Sequence, residues 1–182
     1  MRPIGAEIAN PTVVIVFPHC EAIVHQETSM KRASRKRVMI VASGGGHWSQ
    51  MLRIRKAFTG FDVFYVGVKE MYRNDVQPAD FYTVKDFSRL QRWNFLLTLT
   101  KLAWIVLRER PVAIVTTGSA PGLIAVRLGK ISGARTAWID SIANVEEVSR
   151  SGLKAGAVVD LWLTQWAHLS QPGGPDHAGS IL

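Results

Sequence analysis

The run Ser43-Gly44-Gly45-Gly46-His47 carries the residue types best suited to chemistry. Its glycines let backbone N–H groups converge on an anion, and a helix opening directly behind them adds partial positive charge, which suits phosphate. His47 follows the third glycine, so a side chain able to take or give a proton stands beside whatever binds there. A second turn, Thr116-Thr117-Gly118-Ser119-Ala120-Pro121-Gly122, repeats the logic, with Pro121 placed where the first turn of a helix tolerates a missing N–H. Thr117 or Ser119 can also simply cap that helix, for about 1 kcal/mol. A third, Trp138-Ile139-Asp140-Ser141-Ile142-Ala143-Asn144, ends an apolar run on a carboxylate that can hold a hydroxyl, orient His47 or cap a turn. Candidate catalytic residues are therefore His47 and Asp140. Candidate substrate-binding residues are Ser43, Gly44, Gly45, Gly46, Thr117, Gly118, Ser119 and Ser141.

Two familiar phosphate motifs are excluded. The Walker pattern needs Lys and then Ser or Thr after its last glycine, whereas Gly46 is followed by His47-Trp48. The dinucleotide fingerprint needs Gly-x-Gly-x-x-Gly and an acid closing the next strand, but Phe61-Asp62-Val63-Phe64-Tyr65-Val66 runs on into Gly67-Val68-Lys69, and Glu70 comes too late. No metal or other cofactor is expected, because His19, His25, His47, His168 and His177 lack ligand spacing and Cys20 stands alone. His168 reads as a surface residue.

The elements that position these turns follow from hydrophobic periodicity. Strands are predicted at 38–42, 62–66, 81–84, 112–116, 135–139 and 160–164, and helices at 48–57, 91–109, 120–131 and 151–156. Strands separated by helices predict an α/β fold, a Rossmann-like parallel sheet with helices on both faces. Ligands of such sheets bind at the carboxyl ends of the strands, so the loops at 43–47, 117–121 and 140–150 should share one rim.

The 182 residues, 47% of them hydrophobic, suffice for one ordinary core. Residues 1–37 read as a poorly ordered basic leader crowded with Lys31, Arg32, Arg35, Lys36 and Arg37, with Met30 a candidate start. The folded part is expected over 38–170, and Gln171-Pro172-Gly173-Gly174-Pro175 reads as the beginning of a departing tail, 171–182. The net charge of +8, from 22 basic against 14 acidic residues, favours an anionic partner. Nucleic acid is not expected, since the basic residues gather in the leader and no recognisable module accompanies them. The single cysteine excludes an internal disulfide and fits a reducing compartment. Val13-Val14-Ile15-Val16-Phe17, stopped by Pro18, is far short of the roughly 20 residues of a spanning helix and makes a poor signal peptide.

The 91–109 helix departs from an ordinary surface helix. Trp93, Phe95, Leu96, Leu97, Leu99, Leu102, Trp104, Ile105, Val106 and Leu107 leave a narrow polar stripe at Asn94, Thr98 and Lys101. Either both sides are covered by protein, or the helix lies in a membrane interface with Arg89, Arg92, Arg108 and Arg110 at its ends.

Taken together, Ser43-Gly44-Gly45-Gly46-His47, Thr116-Thr117-Gly118, Trp138-Ile139-Asp140-Ser141-Ile142-Ala143 and Val159-Asp160-Leu161-Trp162-Leu163-Thr164-Gln165-Trp166 resemble the PssD-type exopolysaccharide glycosyltransferase subunits. These are bacterial relatives of the membrane-anchored subunit of the eukaryotic transferase that adds the second N-acetylglucosamine to dolichol-linked oligosaccharide. The likeness covers about 38–170, and 114–169 is its most specific part. A more distant similarity is to the N-terminal half of MurG, the lipid-linked peptidoglycan transferase.

The resemblance implies the acceptor-side, N-terminal half of a GT-B glycosyltransferase, with the nucleotide-sugar half on a separate catalytic subunit. It implies transfer of a sugar from a UDP-sugar to a polyprenyl-diphosphate-linked acceptor in polysaccharide or lipid-linked oligosaccharide synthesis, with little activity from this chain alone. By family analogy Gly44, Gly45 and Gly46 face the acceptor diphosphate, His47 takes part in deprotonating the acceptor, Gly118 belongs to the second glycine turn, and Asp140 falls where relatives carry an acid, usually Glu. Eukaryotic members have an N-terminal spanning helix that the leader here does not provide. Peripheral attachment to the cytoplasmic face of the membrane is therefore expected through the 91–109 helix and basic residues. The rival reading is a scaffold that anchors and activates a catalytic partner while contributing no reacting group.

Overall fold

The structure, a computed structural model, describes residues 36–87 and 92–181, with Arg92 by its backbone alone. The expectations for Val13 to Phe17, Cys20, Met30, the leader up to Arg35, Arg89 and Gln91 lie outside the described residues.

Among the described residues, seven strands form one parallel sheet in the order β3-β2-β1-β4-β5-β6-β7. They are β1 (Arg37–Val41), β2 (Asp62–Gly67), β3 (Phe81–Thr83), β4 (Ala113–Thr116), β5 (Arg135–Ile139), β6 (Leu161–Thr164) and β7 (Asp176–His177). The helices are α1 (Gly46–Ile54), α2 (Arg73–Val76), α3 (Arg92–Glu109), α4 (Ala120–Ile131) and α5 (Arg150–Gly156), with 3-10 turns at Arg55–Phe58, Glu70–Tyr72 and Ala167–Leu169. The expected Rossmann-like α/β architecture is the one observed.

The central strands are apolar on both faces because both faces are covered. Along β1, Val38 and Ile40 join Trp48, Met51 and Ile54 of α1, while the alternate residues Met39 and Val41 join Leu102, Ile105 and Val106 of α3 and Ile124, Ala125 and Val126 of α4. α4 lies especially close to β4, since a Cβ on Gly122 would overlap the Thr116 side chain. Only glycine fits there.

Charged clamps tie the amino ends of the strands. Arg37, expected in the leader, instead begins β1; it pairs with Asp62, with Asp80 at 2.6 Å and with Glu109 at the end of α3. Asp160, at the foot of β6, accepts from Thr136 N at 2.8 Å and pairs with Lys130 of α4. Burial pushes its carboxyl up, but hydrogen bonds from Lys130 and Thr136 outweigh burial and hold it below the ordinary aspartate range.

Two sequence expectations are corrected. Segment 171–182, read as leaving the domain, returns to it. Asp176 and His177 pair with β6, Ile181 N donates to Gln165 Oε1 at 3.0 Å, and Ile181 packs on the core beside β5 and β6. Arg53 of α1 holds the returning segment by donating to Ile181 O at 2.8 Å. The polar stripe expected on α3 at Asn94, Thr98 and Lys101 is not one continuous face either: Lys101 is exposed and Asn94 half-buried, but Thr98 is neither. Thr98 is fully buried and donates to Lys85 O at 2.6 Å, so it lies on the core side with Leu102 and Ile105. Apolar side chains are what face outward: Trp93 is 79% exposed and Leu107 72%, with Leu96, Leu97 and Trp104 also exposed.

Candidate functional site

Parallel strands put every strand-to-helix loop at one edge, so the turns after β1, β4 and β5 are neighbours there in the order of the strands. β1 lies between β2 and β4, so successive strands are laid down to one side from β1 to β3 and to the other side from β4 to β7. This is the switch position at which doubly wound sheets open a crevice for ligand. The two glycine turns flank it.

The first turn leaves β1 through Ala42 and Ser43 and enters α1 at Gly45, whose backbone (φ 62°, ψ −129°) serves as the helix N-cap without a side-chain cap. The first-turn N–H groups of α1 are thus left to the rim. Ser43 is 6% exposed and its hydroxyl has no hydrogen-bond partner among the described residues, yet it still touches solvent.

The second turn is locked onto the first. His47 Nδ1 lies 2.7 Å from Thr117 O, and Thr117 Oγ1 donates back to His47 O at 2.7 Å. A carbonyl only accepts, so Nδ1 carries the hydrogen and the neutral ring keeps its free lone pair on Nε2. Gly118 (φ 117°) lies under the ring, where a Cβ would come within 2.7 Å of His47 Cε1. Ser119 caps α4 at φ 85°, a conformation disfavoured for any residue but glycine, and its Oγ is sealed from solvent without a partner among the described residues. Gln50, one turn beyond His47, is likewise buried with neither amide atom partnered among the described residues.

The third turn is organised by Asp140. Its carboxylate is 2% exposed and accepts from Ser141 N at 3.1 Å, Asn144 Nδ2 at 3.0 Å and Ser149 N at 2.8 Å. Ser149 then caps α5 by accepting from Gly152 N at 2.8 Å. Ser141 Oγ accepts from Ala143 N, so it too serves the loop. Trp166 Nε1 fastens the loop from outside by donating to Ile142 O at 2.9 Å. No hydrogen bond joins Asp140 to His47. The structure therefore brings together Ser43, Gly44, Gly45, Gly46, His47, Thr117, Gly118 and Ser119, and sets Asp140 and Ser141 inside the neighbouring loop.

Sequence reasoning passed over the loop behind β2. Gly45 N donates to Tyr72 Oη at 3.2 Å, and the Tyr72 ring stacks on Trp48 with centroids 4.5 Å apart and planes 11° apart. The signal available was position alone: 68–72 follows a strand that ends at the same rim. His168, read as a surface residue, is exposed and lies with Nε2 2.7 Å from Val145 O.

No protein-family model matches the chain, and no curated protein sequence matches it. Solved structures do. MurG of Acinetobacter baumannii superposes with a TM-score of 0.66 at 11% identity, over 79% of this chain and 45% of that one. UDP-N-acetylglucosamine 2-epimerase of Rickettsia bellii gives 0.61 at 11% identity, over 81% and 46%. The UDP-GlcNAc 2-epimerase of Methanocaldococcus jannaschii, in complex with UDP-GlcNAc and UDP, gives 0.55 at 9% identity, over 71% and 40%. The chain spans less than half the length of each of these proteins. Its fold is the Rossmann-like α/β fold of GT-B sugar-processing enzymes.

Proposed function

We propose that this chain is the acceptor-binding, N-terminal-type half of a two-component glycosyltransferase of the PssD kind, which passes a sugar from a UDP-sugar to a polyprenyl-diphosphate-linked acceptor. The observation that carries the reading is the His47 lock: Nδ1 is committed to Thr117 O, so Nε2 is the atom left to take a proton between two glycine turns.

The chemistry follows from those atoms. The acceptor hydroxyl attacks the anomeric carbon of the donor sugar and loses its proton to His47 Nε2, while the bond from that carbon to the nucleotide diphosphate breaks. A positioned base contributes typically about 10² to 10⁴ in rate. The open N–H groups of α1 and the hydroxyl of Ser43 suit the acceptor's diphosphate. Asp140 acts as a positioning residue that shapes the 141–149 loop. In this reading the donor is held by a separate nucleotide-sugar subunit.

Membrane recruitment rests on α3. Its outward face presents Trp93, Leu96, Leu97, Trp104 and Leu107, with Lys101 and Arg110 exposed nearby and Arg108 over the Trp104 ring. Aromatic and aliphatic residues mixed with cations suit the surface of an anionic bilayer. Among the described residues no helix is long and apolar enough to cross a membrane, so attachment at the cytoplasmic face is peripheral in this reading.

The test is reconstitution with the nucleotide-sugar subunit and assay with several UDP-sugars. His47→Ala is expected to cut turnover by about 10² or more while leaving the pair assembled. Unchanged turnover would instead identify a scaffold that anchors its partner without reacting.

A further inference from the structure

The loop behind β2 closes over the first glycine turn, where Gly45 N donates to Tyr72 Oη. We propose that Lys69 and Tyr72 form the outer wall of the anion site at the 44–46 turn and grip the diphosphate of a prenyl-linked ligand. This rests on the assignment of that turn to the acceptor diphosphate.

Tyr72 Oη accepts from Gly45 N at 3.2 Å, and its own proton has no acceptor among the described residues. The phenol is held in place rather than left to swing. Its ring stacks on Trp48, and Trp48 Nε1 donates to Asp75 at 2.8 Å. Lys69 runs beside the same turn, its Cε 3.9 Å from where a Cβ on Gly44 would stand. It is exposed and makes no ion pair among the described residues. The neighbouring charges are already engaged: Glu70 accepts from Arg73 and Thr83, and Asp75 accepts from Trp48.

Ser43 makes the turn more than a helix end. It is more than nine-tenths buried, and its hydroxyl has no hydrogen-bond partner among the described residues. Buried hydroxyls ordinarily have a partner, and one without it is a place for a ligand atom. The first-turn N–H groups of α1, the Ser43 hydroxyl, the Tyr72 hydroxyl and the Lys69 ammonium are all donors at or beside this one turn. An anion with several acceptor oxygens satisfies such a set, and a diphosphate, with oxygens on two phosphorus atoms, reaches both the backbone floor and the side-chain wall.

Calorimetric titration of the full chain with farnesyl diphosphate tests this, with UDP and inorganic diphosphate as separate arms. Lys69→Ala and Tyr72→Phe are each expected to weaken farnesyl diphosphate about tenfold, the usual effect of one charge-assisted hydrogen bond, and Lys69→Arg to restore most of the loss. Thermal unfolding should be unchanged in all three. Gly46→Asp reports on the turn itself, because there is open space at Gly46 and an acid suits a helix start but repels an anion. It should abolish binding. If Gly46→Asp abolishes binding while Lys69→Ala and Tyr72→Phe bind like wild type, the wall is wrong and the turn assignment stands. If wild type does not bind, or Gly46→Asp binds normally, the turn assignment fails as well. UDP or inorganic diphosphate binding as tightly, with the same dependence on Lys69 and Tyr72, overturns the prenyl-linked choice of ligand.

Discussion

His47 and Thr117 hold each other twice, ring nitrogen to carbonyl oxygen and hydroxyl to carbonyl oxygen, each at 2.7 Å. Two loops seventy residues apart in sequence are thereby fixed as one surface, and the imidazole is given a single tautomer. The same pairing makes the site sensitive to anything that lifts the ring off the second turn.

Gly118 is the position where that sensitivity is greatest. Alanine there meets His47 Cε1 at 2.7 Å and must also hold φ at 117°, so either the ring or the turn moves. Gly118→Ala is expected to lose turnover about 10²-fold or more in the reconstituted pair, with a stability cost of about 1–3 kcal/mol. Turnover and chemical denaturation measured side by side check this; retained turnover would show that the ring's seat on Gly118 is unimportant.

Asp140 should behave as a structural carboxylate. Removing it in Asp140→Ala leaves Ser141 N, Asn144 Nδ2 and Ser149 N without their acceptor, at a cost of about 3 kcal/mol. A lowered Tm and faster hydrogen exchange at 141–149 are expected. Full stability with a selective loss of kcat would point instead to a direct part in the reaction.

Asp160 gives the fold an acid-sensitive clamp. Its carboxyl is held below its ordinary value, so its contribution is fully present above the ordinary aspartate range and is lost as pH falls through the folded value. Asp160→Asn should destabilise by about 1 kcal/mol at neutral pH, a figure already reduced for partial exposure and screening. Denaturant titrations from neutral to acid pH should show the gap between variant and wild type closing at the acid end. A gap independent of pH would refute the clamp.

The outward face of α3 predicts membrane binding separable from folding. Replacing Trp93, Leu97 and Leu107 together by serine removes exposed apolar area and little core, so unfolding should change by less than about 1 kcal/mol. Flotation with anionic liposomes should fall sharply for the triple variant, and wild-type binding should weaken with salt. Equal flotation of both proteins would leave α3 without that role.

Much of this was legible in the chain itself. Apolar runs of four to six residues separated by helical periodicity specify a covered parallel sheet, and glycine followed by a helix start marks the turns that open toward ligand. The type of element and the identity of the rim depend on local pattern, which sequence carries. What pattern cannot carry is direction around a helix whose every face is largely apolar. Thr98 was assigned to a polar stripe and turned out to be the buried donor to Lys85 O, because one hydrogen bond to a carbonyl suffices to bury a threonine.

Local pattern thus determined the strands, the helices, the glycine turns and the histidine between them. Tertiary structure alone decided which long-range partners met: that His47 would be anchored by Thr117, that Tyr72 would fold over Gly45, and that Ile181 would return to the core. Each is a contact set by how the sheet's edge brings separate loops together. The spacing of residues along the chain holds no record of it.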